Sequence, residues 1–165
     1  MRALRRSSAS PEETLKLGEC FGSLLSAPAI INLSAPLGGG KTWFSKGVAR
    51  GVGGHDYDDV LSPAFNLVHE YVTAGAPKIY HVDFYRLDEL VAEDVQMFGE
   101  YLSDDSAISL VEWGDKFLPD LVDSFLTVRI AYGADGSPSG RDFLFSATGP
   151  DPSYPAIIDR FESSC

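Results

Sequence analysis

Between Ile30 and Thr42 the chain reads Ile-Ile-Asn-Leu-Ser-Ala-Pro-Leu-Gly-Gly-Gly-Lys-Thr, and this order restricts the fold more than any other stretch. The short apolar run predicts a strand, the glycines predict a turn, and Lys-Thr opens a segment with helical spacing. A strand, a glycine turn and a helix in that order build an anion site. The glycines let backbone N–H groups close around phosphate oxygens, and the helix N-terminus adds partial positive charge. In this arrangement Leu37, Gly38, Gly39 and Gly40 cradle the phosphates. Lys41 reaches the β- and γ-phosphates, and the Thr42 hydroxyl ligates Mg²⁺. The strict pattern has Gly where this chain has Ala35. A methyl group is tolerated there as long as its φ is negative.

The remaining segments alternate in type. Ser10 caps a helix, Pro11 suits its first position, and Glu13 completes a capping box. Leu17, Cys20, Phe21, Leu24 and Leu25 then recur on one face, so the helix should end near Ala27-Pro28. A strand from Ala29 to Ser34 leads into the loop, and the helix from Lys41 should bury Phe44 and Val48 and close at Gly51 to Gly54. Residues 55–59 read as a polar loop. Phe65 to Tyr71 alternates with a period of two, Ala74 to Pro77 is a turn, and Lys78 to Asp83 is a second strand, which together make an antiparallel hairpin. Residues 88–102 are acidic and helical, with an interruption expected around Gly99. Ala107 to Glu112 is an apolar run ending in a carboxylate. Phe125 to Tyr132 and Asp142 to Ser146 pair around a flexible turn, and Tyr154 to Phe161 forms a final helix. The sequence shows no internal repeat and no linker. The expected fold is α/β: a single P-loop NTPase-like domain over residues 1–165, with a mixed central sheet flanked by helices.

Charge is uneven along this order. The net charge is −11, yet residues 1–54 hold seven of the 13 Lys/Arg residues and three of the 24 Asp/Glu residues. A basic segment around the loop suits an anionic ligand, whereas the acidic remainder opposes broad nucleic-acid binding by this chain alone. No apolar run reaches the ~18 residues that a membrane helix needs. The basic opening Met1 to Ser8 is short, lacks an apolar signal core and is followed by Glu12 and Glu13, so a cytoplasmic protein is expected. Cys20 and Cys165 suggest neither a disulfide framework nor a metal site, which favours a reducing compartment.

A Mg²⁺-nucleotide site also needs carboxylates, and in open α/β sheets these sit at the carboxyl ends of strands. Glu112 ends one buried-type strand and Asp83 ends another. Glu112 pairs with Thr42 for the metal, and Asp83 is placed to orient or deprotonate the attacking water. His81 should share a sheet face with Asp83, where a structural role is as common as a functional one. Arg86 has a surface ion pair as its commoner fate, and Trp113 is as well suited to core packing as to stacking. His55 and His69 have no ligand spacing. The sequence lacks the Asn-Lys-x-Asp tetrapeptide that reads guanine, so adenine is the default base. It is also short for a nucleotide kinase with a lid.

Assembled, these residues give the chain a resemblance to the TsaE family, bacterial P-loop ATPases involved in threonylcarbamoyladenosine modification of tRNA. It runs from about Ser10 to Arg141. It rests on Leu37 to Thr42, Ser62-Pro63-Ala64, Leu67-Val68 with Glu70-Tyr71, His81-Val-Asp83-Phe-Tyr85-Arg86-Leu87, and Leu110-Val-Glu112-Trp113. The resemblance implies weak ATP hydrolysis and assembly with TsaB-like and TsaD-like partners, through which tRNA is engaged indirectly, with no membrane involved. It also implies Mg²⁺ contacts from Thr42 and Glu112, an essential role in hydrolysis for Asp83, and peripheral nucleotide contacts from Thr14 and Arg141. Four departures from the family pattern stand out: Gly-Asp is usual at Ala35-Pro36, Thr at Ala64, Thr at Trp43, and Pro at Gly114. Pro36 has no N–H to give a phosphate and Ala64 lacks a hydroxyl, changes that bear on turnover more than on binding. The competing readings are a nucleotide-binding scaffold with little turnover and a small-molecule kinase.

Overall fold

The Ile30-Ile31-Asn32-Leu33 run lies at the centre of a seven-stranded sheet in the computed structural model, which describes residues 2–53, 60, 66–72, 74–134 and 136–165. The elements in chain order are β1 (Ala3–Ser8), α1 (Pro11–Ser23), β2 (Ala29–Ser34), α2 (Lys41–Gly53), β3 (Val68–Tyr71), β4 (Lys78–Asp83), α3 (Ala92–Leu102), β5 (Ala107–Glu112), α4 (Leu118–Leu121), β6 (Phe125–Tyr132), β7 (Arg141–Thr148) and α5 (Ser153–Ser164). A 3₁₀ turn, Gly114–Lys116, follows β5.

The strand order is β1-β7-β6-β2-β5-β4-β3. β2 runs parallel to β5 and to β6, and β4 runs parallel to β5. The outer pairings β1/β7, β6/β7 and β3/β4 are antiparallel. The expected mixed sheet is therefore present, hairpin included. β2 and β5 are apolar almost throughout because both sheet faces are covered there. One face packs Phe21 of α1, Phe44 and Val48 of α2, and Ile158 and Phe161 of α5 against Ile31 and Leu33. The other packs Phe98 of α3 and Leu118 of α4 against Ile30, Val82 and Val111. Odd and even residues of one strand thus feed two cores, as the pleat dictates.

The helices α1 and α2 lie unusually close. Each carries a Gly-x-x-x-Gly spacing, Gly18/Gly22 on α1 and Gly47/Gly51 on α2. A Cβ on Gly47 would overlap the Leu15 carbonyl, and one on Gly51 would overlap that of Glu19. Side-chain-free positions on both helices let the backbones meet, which fixes α2 and so the loop at its N-terminus.

Several expectations need correction. Residues 3–8 form β1, an edge strand that extends the sheet at β7. Its alternation is weak because it presents Arg5 and Arg6 alongside the buried Leu4 and Ser8. The first helix ends at Ser23, short of Ala27. Ser10 does cap it, accepting a hydrogen bond from the Glu13 N–H at 3.2 Å. The Glu13 carboxylate, however, accepts from the Ala9 N–H at 2.7 Å, one residue earlier than a capping box requires. α3 continues through Gly99 without a break. The largest correction concerns the cysteines. α5 packs back on α1, bringing the Cα atoms of Cys20 and Cys165 within 6.5 Å, and the two are joined in a disulfide. The expectations for residues 55–59, Ser62-Pro63-Ala64 and Phe65 lie outside the described residues.

Candidate functional site

β2 delivers the chain at Ser34 to a tight loop. Gly38 and Gly40 hold φ of 72° and 104°, left-handed values that their lack of a Cβ permits. Among the described residues Ala35 is not one of the non-glycine residues with positive φ, so its methyl is accommodated as expected. The Gly39 N–H donates to the Pro36 carbonyl at 2.9 Å and closes the turn. Pro36 lacks a donor of its own, yet its carbonyl has this local use. A Cβ on Gly39 would stand 2.8 Å from that carbonyl and 2.9 Å from Ala35 Cβ. Lys41 turns back into the loop, its Nζ donating to the carbonyls of Ala35 at 3.3 Å and Pro36 at 3.4 Å. The same ammonium lies 4.6 Å from the ring centroid of Trp113. It is 7% exposed. Burial pulls its pKa below the ordinary lysine value, against the opposing pull of Glu112 and Asp83.

The carboxylates come from neighbouring strands. Asp83 and Glu112 end β4 and β5 and are partners in the parallel register. Each is 3% exposed. Asp83 Oδ1 accepts from the Tyr85 N–H at 2.8 Å. Glu112 Oε1 is bonded to His81 Nε2 at 2.8 Å, and His81 is fully buried. The histidine therefore fixes the orientation of one carboxylate. Directly after Glu112 the chain turns at Trp113, which holds a φ of 59°. A bulky residue in that region costs on the order of 1–3 kcal/mol, supplied by the surrounding packing. Tyr85 covers the Trp113 ring at 5.0 Å between centroids. Loop, Thr42, Asp83 and Glu112 face one cavity of about 410 Å³.

Arg141 and Thr14 lie behind the loop. Arg141 Nε donates to the Gly39 carbonyl at 2.9 Å and Nη2 to that of Gly38 at 3.4 Å. Its guanidinium lies 4.8 Å from the Tyr132 ring centroid, and the Tyr132 hydroxyl donates to the Leu37 carbonyl at 3.2 Å. Thr14 is buried, its hydroxyl 2.7 Å from that of Ser8. Two site residues were missed from sequence. Tyr132 carries no motif. Asp115 accepts from Asn32 Nδ2 at 2.9 Å and Ser34 Oγ at 2.6 Å, tying the end of β2 to the turn after β5; its signal, a carboxylate three residues after Glu112, is too common to single out. Arg86 is exposed and lies outside the cavity lining.

These donors fit a magnesium nucleotide. Among the described residues no cluster of three or more His, Cys, Asp or Glu side chains can hold a metal by itself. Two carboxylates and the Thr42 hydroxyl line the cavity instead. Mg²⁺ takes one or two carboxylates and completes its shell with phosphate and water, so this sparse set suits it.

The family model described as "Threonylcarbamoyl adenosine biosynthesis protein TsaE" matches residues 8–140. The chain is similar to the tRNA threonylcarbamoyladenosine biosynthesis protein TsaE of Nostoc sp., with 32% identity over 145 residues covering 87% of each chain. It is 31% identical to the TsaE protein of Bacillus subtilis over 165 residues, covering 100% of this chain and 93% of the other. The Mycobacterium tuberculosis protein of that name is 36% identical over 126 residues, 72% of this chain and 73% of its own. Among solved structures, YdiB from Bacillus subtilis superposes with a TM-score of 0.75 at 25% identity, covering 98% of this chain and 95% of that one.

Proposed function

This chain belongs to the TsaE family, and from that premise we propose that it is the ATP-binding and ATP-hydrolysing subunit of a tRNA threonylcarbamoyladenosine modification system. The observation that carries this reading is the meeting of Lys41, Thr42, Asp83 and Glu112 at one cavity. On nucleotide binding the Lys41 ammonium exchanges the Ala35 and Pro36 carbonyls for β- and γ-phosphate oxygens. Glu112, held by His81, and the Thr42 hydroxyl hold Mg²⁺, which neutralises phosphate charge when bound. Asp83 orients the attacking water and takes its proton. Gly38 and Gly40 present backbone N–H groups, Gly39, whose N–H closes the turn on Pro36, borders the phosphates with Leu37, and Arg141 and Thr14 shape the loop's outer side.

Hydrolysis drives the cycle of TsaB-like and TsaD-like partners, which hold the tRNA. The net charge of −11 supports that division of labour. The reading calls for the cytoplasm; among the described residues no helix is long and apolar enough to cross a membrane. In that reducing compartment the Cys20–Cys165 bond is subject to thiol exchange.

Two variants test the site. Lys41→Ala should abolish tight ATP binding in calorimetry. Asp83→Ala should bind ATP within a few-fold of wild type yet lose phosphate release by about 100-fold or more. Wild-type turnover by Asp83→Ala would remove its assigned role.

A further inference from the structure

We propose that Trp43 is the stacking platform for the base of the bound nucleotide, an inference that rests on the nucleotide reading above. The direction of the ligand follows from the charges. The carboxylates, Lys41 and Thr42 gather the γ- and β-phosphate end of the chain in the larger cavity. The nucleoside must then leave at the other end of the loop, across Gly40. There a second, smaller cavity of about 100 Å³ opens, bordered by Pro11, Thr14, Gly40, Trp43, Pro138 and Arg141.

Of the three polar side chains around this second cavity, Thr14, Ser139 and Arg141, two are already engaged. Arg141 donates to the carbonyls of Gly38, Gly39, Pro138 and Gly140. The Thr14 hydroxyl is paired with Ser8. Apart from Ser139, the cavity is lined by two prolines and Trp43, whose ring has Lys46 Nζ 5.7 Å from its centroid, surfaces that suit a flat heteroaromatic base. Trp43 is 39% exposed, whereas Phe44 beside it is fully buried in the core. Its indole borders both the phosphate cavity and the smaller one, so it lies where a nucleoside would pass. Stacking is available to every base because every base has a π-face, so this platform adds affinity with little base selectivity.

The test compares Mg-ATP, Mg-GTP and magnesium tripolyphosphate, which lacks base and sugar, by calorimetry on wild type, Trp43→Ala, Trp43→Leu and Trp43→Phe. Ala and Leu should weaken ATP and GTP alike, by about 10-fold or more, the loss typical of a stacked base. Phe should stay within about threefold, since it keeps an aromatic face. All four proteins should bind tripolyphosphate equally. Unchanged ATP affinity in Trp43→Leu, or an equal loss of tripolyphosphate, would overturn the proposal, the latter by showing that the ring acts through the loop. Wild type binding neither ATP nor tripolyphosphate would overturn the nucleotide reading itself.

Discussion

Lys41 shows how a functional residue burdens its own fold. Its side chain is largely buried and its ammonium is held by loop carbonyls, and burial lowers its pKa from the unfolded value of 10.5. The folded chain therefore binds fewer protons than the unfolded one between those two values. Stability rises with pH across that window, and below it the cost of the buried charge is present in full. Lys41→Met should consequently raise the Tm of the nucleotide-free protein at neutral pH, by about 2–4 °C for each kcal/mol relieved. That gain should shrink as pH approaches 10.5. A lower Tm for the variant would mean that the pull of Asp83 and Glu112 outweighs burial. The lysine itself was legible in the sequence because it sits at a fixed offset from the glycines. The His81–Glu112 bond was legible only in part: the period of two put His81 on the face of Asp83, but its partner on β5 depends on register between strands far apart in sequence.

At the scale of elements, two glycine environments make opposite predictions. Gly47 of α2 faces the backbone of α1, and a Cβ there would overlap the Leu15 carbonyl. Gly47→Ala should destabilise the protein by about 1–3 kcal/mol in denaturant unfolding, the usual cost of overpacking, despite the better helix propensity of alanine. Gly99 lies within α3, and a Cβ there meets nothing within 4 Å. Gly99→Ala should stabilise by about 0.5–1 kcal/mol. If both substitutions moved stability in one direction, the close contact of α1 and α2 would not be the reason for the glycines. Sequence periodicity located both helices and the parallel strands, because each carries its own apolar pattern. It treated Gly99 as a break, since propensity alone does not reveal that a helix is held by the packing of Phe98 and Leu102. β1 escaped for a related reason. A strand with Arg5 and Arg6 has little apolar signal and exists by pairing with β7.

The whole molecule is a sheet whose parallel strands β2, β4 and β5 end at one edge, where loop and carboxylates meet, and whose far end is tied by α5. That tie is covalent: the Cys20–Cys165 disulfide closes a separation of 145 residues. Neither cysteine has a motif around it, and only the return of α5 onto α1 brings them together. Reduction should lower stability by about 2–5 kcal/mol, as loss of a cross-link over so long a loop does. Thiol titration of native protein prepared without reductant should find no free thiol; two reactive thiols would contradict the pairing. The central claim concerns the opposite end of the sheet, and phosphate release tests it most directly. The chain, supplied with Mg-ATP and TsaB-like and TsaD-like partners, should release phosphate to water, with release abolished by omitting Mg²⁺ or by Asp83→Ala. Tight ATP binding with no release even when the partners are present would contradict the account and leave a nucleotide-binding scaffold.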